Sequence, residues 1–141
     1  MKTSDKTVIT VEATIDAPVA KVWEAWNEPA HITQWCSASD EWHTPKSEND
    51  LRPGGEFLSR MEAKDGSMGF DFGGTYDEVR INEYIAYTLD DDRKVTVSFA
   101  ADDSGTRIIE TFEAEQENPV EMQQGGWQAI MDNFKKYAES I

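Results

Sequence analysis

The chain has 141 residues, one cysteine, and 28 acidic against 13 basic side chains, for a net charge of −15. That charge argues against a nucleic-acid partner, which needs clustered Lys and Arg, and against anionic membrane surfaces. The length suits one domain that buries roughly two-thirds of its unfolded surface, so no disulfide or metal is needed for folding. Cys36 alone excludes an intrachain disulfide, which fits a reducing cytosol and a cytoplasmic protein. The N-terminus, MKTSDKTVITVEA, lacks the apolar core of a signal peptide, and no apolar run approaches a membrane span. An acidic surface of this kind keeps a protein soluble, and it can also dock a basic partner.

Residues 1–6 are polar and read as a frayed end. From Thr7 to Ile15 the chain alternates, with Ile9, Val11, Ala13 and Ile15 on one face of a half-buried strand. Asp16-Ala17-Pro18 opens a helix, with Asp16 or Ala17 near its cap and Val19, Val22, Trp23 and Trp26 on one side. Pro29 breaks it and starts a short second helix through about Trp35.

Strands follow. Asp40 to Thr44 is a weak candidate, and Leu51 to Gly55 is a turn by its Pro and Gly content. Glu56 to Glu62 points Phe57, Ser59 and Met61 one way, and Asp65-Gly66 makes a hairpin turn. Met68 to Arg80 is a long strand with Phe70, Phe72 and Tyr76 on one face. Gly73-Gly74 within it predicts a bulge or bend where the sheet curls. Tyr84 to Leu89, Lys94 to Ala100 and Thr106 to Ala114 complete the series, with turns at Asp90-Asp91-Asp92 and Asp103-Ser104-Gly105. Short connections imply antiparallel pairing.

Asn118 to Ile141 carries the strongest signal. Trp127, Ile130, Met131, Phe134, Tyr137, Ala138 and Ile141 form one apolar stripe along a helix. Asn118 can cap it, Pro119 suits its first position, and Glu121 completes a capping box. The expected fold is α+β: six or seven antiparallel strands curved around a long C-terminal helix, with two short helices after the first strand. Such a sheet can leave a cavity against the helix.

Three segments in register carry a resemblance: IDAPVAKVWEAWNEPAHITQW at 15–35, DLRPGGEF at 50–57 and GWQAIMDNFKKYAE at 126–139. Together they resemble the family related to the C-terminal domain of the activator of heat-shock-protein-90 ATPase, within the START-like, helix-grip superfamily. The likeness spans about residues 8–139 of the single domain 1–141. It implies a curved sheet gripping the last helix and an interior cavity that takes apolar small molecules in many superfamily members. Superfamily members include carriers, receptors, cyclases and oxygenase subunits, so the resemblance leaves function open. Two positions depart from the family pattern. Cys36 follows Trp35 where a second Trp is frequent, and Gly125 precedes Gly126 where a larger polar residue is common.

The candidate ligand-binding residues are Trp35, Trp42, Phe57, Met61, Phe70, Phe72, Tyr76, Tyr87, Phe99, Trp127, Ile130, Met131 and Phe134. Each reads equally as plain core. As a cavity wall, aromatic and Met surfaces suit flat or lipidic ligands. Trp127 stands out, one turn into the stripe beside Gly125-Gly126, where the helix backbone can approach the sheet closely.

His31, Cys36 and His43 match no zinc spacing, and no catalytic residue is assigned. Cys36 reads as a small, partly buried residue and the histidines as turn or surface positions. The acidic runs lack calcium-loop spacing, and the Gly pairs match no phosphate loop. Arg52, Arg60, Arg80 and Arg107 lie in or near strands, and none stands out as a ligand contact. Asp71 and Glu110 are the acid–base candidates if the cavity is a cyclase-like or hydrolase-like enzyme, but outward strand positions are the favoured home for both.

These residues favour a non-enzymatic intracellular module that holds an apolar small molecule, a lipid or a flat aromatic, without metal or cofactor. The alternatives are a cavity enzyme and a co-chaperone-like regulator with a protein partner. In the eukaryotic activators a separate N-terminal domain accompanies this one, and nothing in this chain corresponds to it.

Overall fold

The computed structural model describes residues 7–37, 39–103, 105–115 and 118–141. The expected frayed end at 1–6 and the middle residue of the turn at 103–105 lie outside these. The element order is β1 (Val8–Ile15), α1 (Val19–Asn27), α2 (Pro29–Trp35), β2 (Trp42–Asn49), β3 (Glu56–Ala63), β4 (Gly69–Arg80), β5 (Tyr84–Leu89), β6 (Lys94–Asp102), β7 (Gly105–Glu113) and α3 (Val120–Ser140). All seven strands form one antiparallel sheet in the order β1-β7-β6-β5-β4-β3-β2. Short turns join each strand from β2 to β7 to its sequence neighbour, so each pairs with the next. The first strand closes the series on the free side of β7. This is the α+β fold expected from the sequence. Among the described residues, no helix is long and apolar enough to cross a membrane.

Alternation in the strands decides the inner face. Ile9, Val11 and Ile15 of β1, Val95, Val97 and Phe99 of β6, and Ile108 and Phe112 of β7 are all buried. The α3 stripe packs against β1, burying Met131, Phe134 and Ala138. The two short helices add a second cover. The Trp26, Trp35 and Phe99 rings surround this layer, with Phe134 4.9 Å from Trp26 and 4.8 Å from Trp35. The Trp35 indole N–H donates to the Ala25 carbonyl at 2.9 Å, tying α2 back onto α1.

Three local expectations are corrected. Neither longer helix has a side-chain cap: Pro18 and Pro119 occupy the N-cap positions. Asn118 instead donates its backbone N–H and its amide to Glu115. Buried Gln123 knits the same segment, accepting from Glu115 N–H at 2.8 Å and donating to the Asn118 carbonyl at 2.7 Å. The second correction concerns β2, which runs to Asn49, well beyond Thr44. After Trp42 it is an edge strand of mostly polar residues, so no apolar alternation marks it. Its ladder shifts register between His43 and Lys46, around Pro45, which has no N–H to donate.

Third, the register shift in β4 falls between Tyr76 and Glu78, beyond Gly73-Gly74. The glycines mark crowding instead: a Cβ on Gly74 would lie 2.4 Å from the Thr88 carbonyl oxygen. The hairpin turn at Asp65-Gly66 is as expected, with Gly66 at φ +78, the left-handed region that glycine enters without strain.

Candidate functional site

The helix covers the sheet unevenly. Over β3, β4 and β5 it leaves a cavity of about 270 Å³. Its wall is assembled from every layer of the fold. Trp26, Ile32, Trp35 and Cys36 come from the short helices and the residue after them. Phe57, Ser59 and Met61 come from β3, Phe70, Phe72 and Tyr76 from β4, and Ile85 and Tyr87 from β5. Trp127 and Ile130 of α3 form the roof. Exposed Glu48 and Phe70 lie on the same wall, so the cavity reaches the surface at the β2–β4 side.

Of the residues singled out in the sequence, the cavity brings together Trp35, Phe57, Met61, Phe70, Phe72, Tyr76, Tyr87, Trp127 and Ile130. Phe57 is the hub of the rings, 5.3 Å from Tyr76, 4.8 Å from Tyr87 and 6.0 Å from Phe72. Trp127 lies flat on Phe112, centroids 3.7 Å apart and 12° between planes, and makes a T-shaped contact with Phe72 at 5.9 Å. The other four are elsewhere. Phe99, Met131 and Phe134 belong to the solid core, and Trp42 stands outside on β2, its ring 6.0 Å from Phe70. The reason given for Trp127 is also corrected. A Cβ added to Gly125 or Gly126 would meet nothing within 4 Å, so the pair allows no close approach. Stacking on Phe112 is what positions the indole.

The polar groups on the wall fall into two sets. In the first, each group has its partner. The Tyr76 hydroxyl donates to Asn49 Oδ1 at 2.5 Å, and Asn49 Nδ2 donates to the Asn27 carbonyl at 2.7 Å. Arg93 is held by Asp91 at 2.8 Å and reaches the Glu113 carbonyl.

The second set has no hydrogen-bond partner among the described residues: beside the Tyr87 hydroxyl and the Trp26 and Trp127 indoles, its one acid is Glu110. It is only 6% exposed. It sits on the inner face of β7, level with Val11 on one neighbouring strand and Val97 on the other. No partner among the described residues reaches its carboxyl, and it lines the cavity. Burial raises its pKa from 4.5 to about 8, so the group is mostly protonated at neutral pH. The outward position expected for it is therefore wrong, whereas Asp71 is exposed as expected and takes a hydrogen bond from Arg60 at 3.3 Å. The register of β7 carried the missed signal. Glu110 shares its parity with Thr106, Ile108 and Phe112, all of which are buried.

Cys36 also lines the cavity. Burial pushes its thiol up to about 12, which keeps it out of the thiolate form a nucleophile needs. His31 lies apart, its Nδ1 2.5 Å from the Tyr137 hydroxyl. His43 is 3.9 Å from Glu62 on the outer part of β2. Among the described residues, no group of three His, Cys, Asp or Glu side chains could hold a metal ion.

Comparison with known proteins agrees with this fold. The model of the activator of Hsp90 ATPase homolog 1-like protein family matches residues 16–139. An AHSA1-like protein from Aeromonas hydrophila, solved by NMR, is 46% identical over 95% of this chain and 93% of its own, with a TM-score of 0.89. A protein from Cytophaga hutchinsonii is 55% identical, with 94% and 92% of the two chains covered and a TM-score of 0.81. One from Chromobacterium violaceum is 26% identical over 94% and 98%, with a TM-score of 0.84. A search of curated proteins gave no match. With a family model spanning most of its length and these two closely similar folds, the chain belongs to the activator of Hsp90 ATPase homolog 1-like family, and its fold is START-like.

Proposed function

We propose that this protein is a binding module for a small, largely apolar molecule, held between β3–β5 and α3. The observation that carries the reading is the cavity itself. A well-packed domain of this size has few voids larger than a water molecule. Here aromatic rings stand around about 270 Å³ of space. That volume is just under the usual lower end for small-ligand sites, about 300 Å³. It favours one flat ring system or one short chain over a large lipid.

The test is a panel of medium-chain fatty acids, sterols and flat polyphenols, read by thermal unfolding. A ligand that binds only the folded state raises the midpoint with concentration, by about 2.7 kcal/mol of stability at a hundredfold excess over Kd. A saturable rise with one class supports the reading. An unchanged midpoint across the panel counts against it.

Glu110 favours a second reading, in which the same cavity does acid–base chemistry. A carboxyl kept neutral in an apolar site can donate a proton as well as accept one. This requires turnover that disappears in Glu110→Gln. The family's name points to a third activity, stimulation of a chaperone ATPase, and an assay with this chain alone tests it.

A further inference from the structure

Among the described residues, Glu110 is the one acid on the cavity wall that no hydrogen bond or ion pair reaches: Glu48 pairs with Lys46, and Glu115 accepts from Asn118. Val11 and Val97 flank Glu110 in the sheet, and Ile108 and Phe112 flank it along β7. Val11, Val97, Ile108 and Phe112 are at most 1% exposed. Ionising a carboxyl there is costly, because burial strips most of its hydration and no hydrogen bond from the described residues replaces it. The one arginine on the wall, Arg93, is engaged by Asp91 and the Glu113 carbonyl. The other charged groups on the wall are Glu48 and Glu115, both acidic.

We infer that the ligand carries a cationic amine, which pairs with Glu110 while the apolar body lies among the rings of β3–β5 and Trp127. This rests on the small-molecule reading above and names the chemistry of the ligand's polar end. Three features converge on it. The empty partner position belongs to an acid, so a hydrogen-bond donor completes it. The aromatic rings of Phe57, Tyr76 and Tyr87 line the same cavity, and aromatic faces attract a cation. The net charge of −15 concentrates cations near the protein and repels carboxylates. A fatty acid would set a second carboxylate beside Glu110, Glu48 and Glu115, so its head group is the wrong one for this wall.

Pairing with an ammonium draws Glu110 into its ionised form, and the carboxyl gives its proton to solvent. The titratable groups that feel its charge are Cys36 after α2 and Tyr87 on β5, and burial holds both of these protonated through neutral pH, as it does Tyr76 further along the wall. Neither β1 nor β6 contributes a titratable side chain level with Glu110. A proton released on binding near pH 7 therefore reports on Glu110.

The experiment uses three probes with one body: 1-naphthylmethylamine, 1-naphthylmethanol and 1-naphthoic acid. Titration calorimetry at pH 7 in two buffers of different ionisation enthalpy gives both affinity and protons exchanged. The amine is expected to bind about tenfold or more tightly than the alcohol and to release close to one proton. The acid is expected to bind weakest. In Glu110→Gln the amine's advantage over the alcohol and its proton release both vanish. Should that variant fail to fold, the amine–alcohol difference and the proton count in the wild type decide alone. Equal affinities, a preference for the acid, or an amine that binds without proton release would overturn the inference and leave the binding reading standing. If none of the three binds, both fall.

Discussion

The two halves of the sheet have the same strand pairing and opposite interiors. Under α3, Ile9, Val11 and Ile15 of β1, Val95, Val97 and Phe99 of β6 and Ile108 and Phe112 of β7 pack with Phe134 of the helix, all at most 5% exposed. Toward β2, the inner faces of β3, β4 and β5 carry rings that surround a void. The difference comes from where the helix lies. Its stripe rests against β1, so the far half of the sheet receives the edge of α3, and Trp127 spans the gap. Among the described residues, Glu110 is the one side chain of β1, β6 or β7 on the cavity wall. The packed half holds the fully buried apolar core that stabilises the fold, and the hollow half leaves a space beside it.

The strongest way to break this comparison is to cut one residue from the packed half. Phe134→Ala removes a fully buried ring between Trp26 and Trp35 and should cost about 3–5 kcal/mol in chemical denaturation. If the loss were under about 1 kcal/mol, the packed half would not be the stabilising one.

Next comes the residue at the boundary. Glu110 has a higher pKa folded than unfolded, so its burial costs little below the unfolded value of 4.5 and most above about 8. Its contribution to stability therefore falls as pH rises through that window. Glu110→Gln should stabilise the protein by about 1–3 kcal/mol at pH 7, the amide keeping part of the burial penalty. The gain should shrink toward zero at pH 4.5. A gain that does not change between pH 4.5 and pH 8 would show that the carboxyl is not held neutral by burial.

Phe57→Ala tests the hollow half. It enlarges a space that already exists, so about 1–2 kcal/mol is expected, well below the Phe134 change. Ligand affinity should fall more steeply than stability. The smallest change concerns the roof. Gly125→Ala should add about 1 kcal/mol through helix propensity alone, since the new methyl group meets no atom within 4 Å. A loss on that substitution would mean that the helix start needs its glycine for movement or for a partner.

Much of this was legible before the structure. The 3.6-residue stripe from Trp127 to Ala138 and the alternation of β1, β5 and β6 define the layers, because burial of one face leaves a periodic trace; Ile141, expected to end the stripe, lies past the helix and is exposed. The cavity was legible only as a set of rings. Alternation says which face Phe57 and Phe99 occupy, but it cannot say which of them α1 and α3 cover. That depends on where the helices lie across the sheet. Strand β2 was underestimated because a polar edge strand has no apolar period to read. Glu110 was misplaced for a different reason. Its charge argued for water, while its register with Ile108 and Phe112 argued for the interior, and the register was the better guide.

The most direct test of the account is a residue-resolved amide NMR titration with 1-naphthylmethanol, a probe that reports on the cavity without engaging the charge of Glu110. The account predicts saturable shifts at Phe57, Phe72, Tyr87 and Trp127, with Val22 and Phe99 of the packed half unmoved. Shifts confined to the exposed side chains Ile81 and Met122, or an unchanged spectrum at saturating probe, would contradict it.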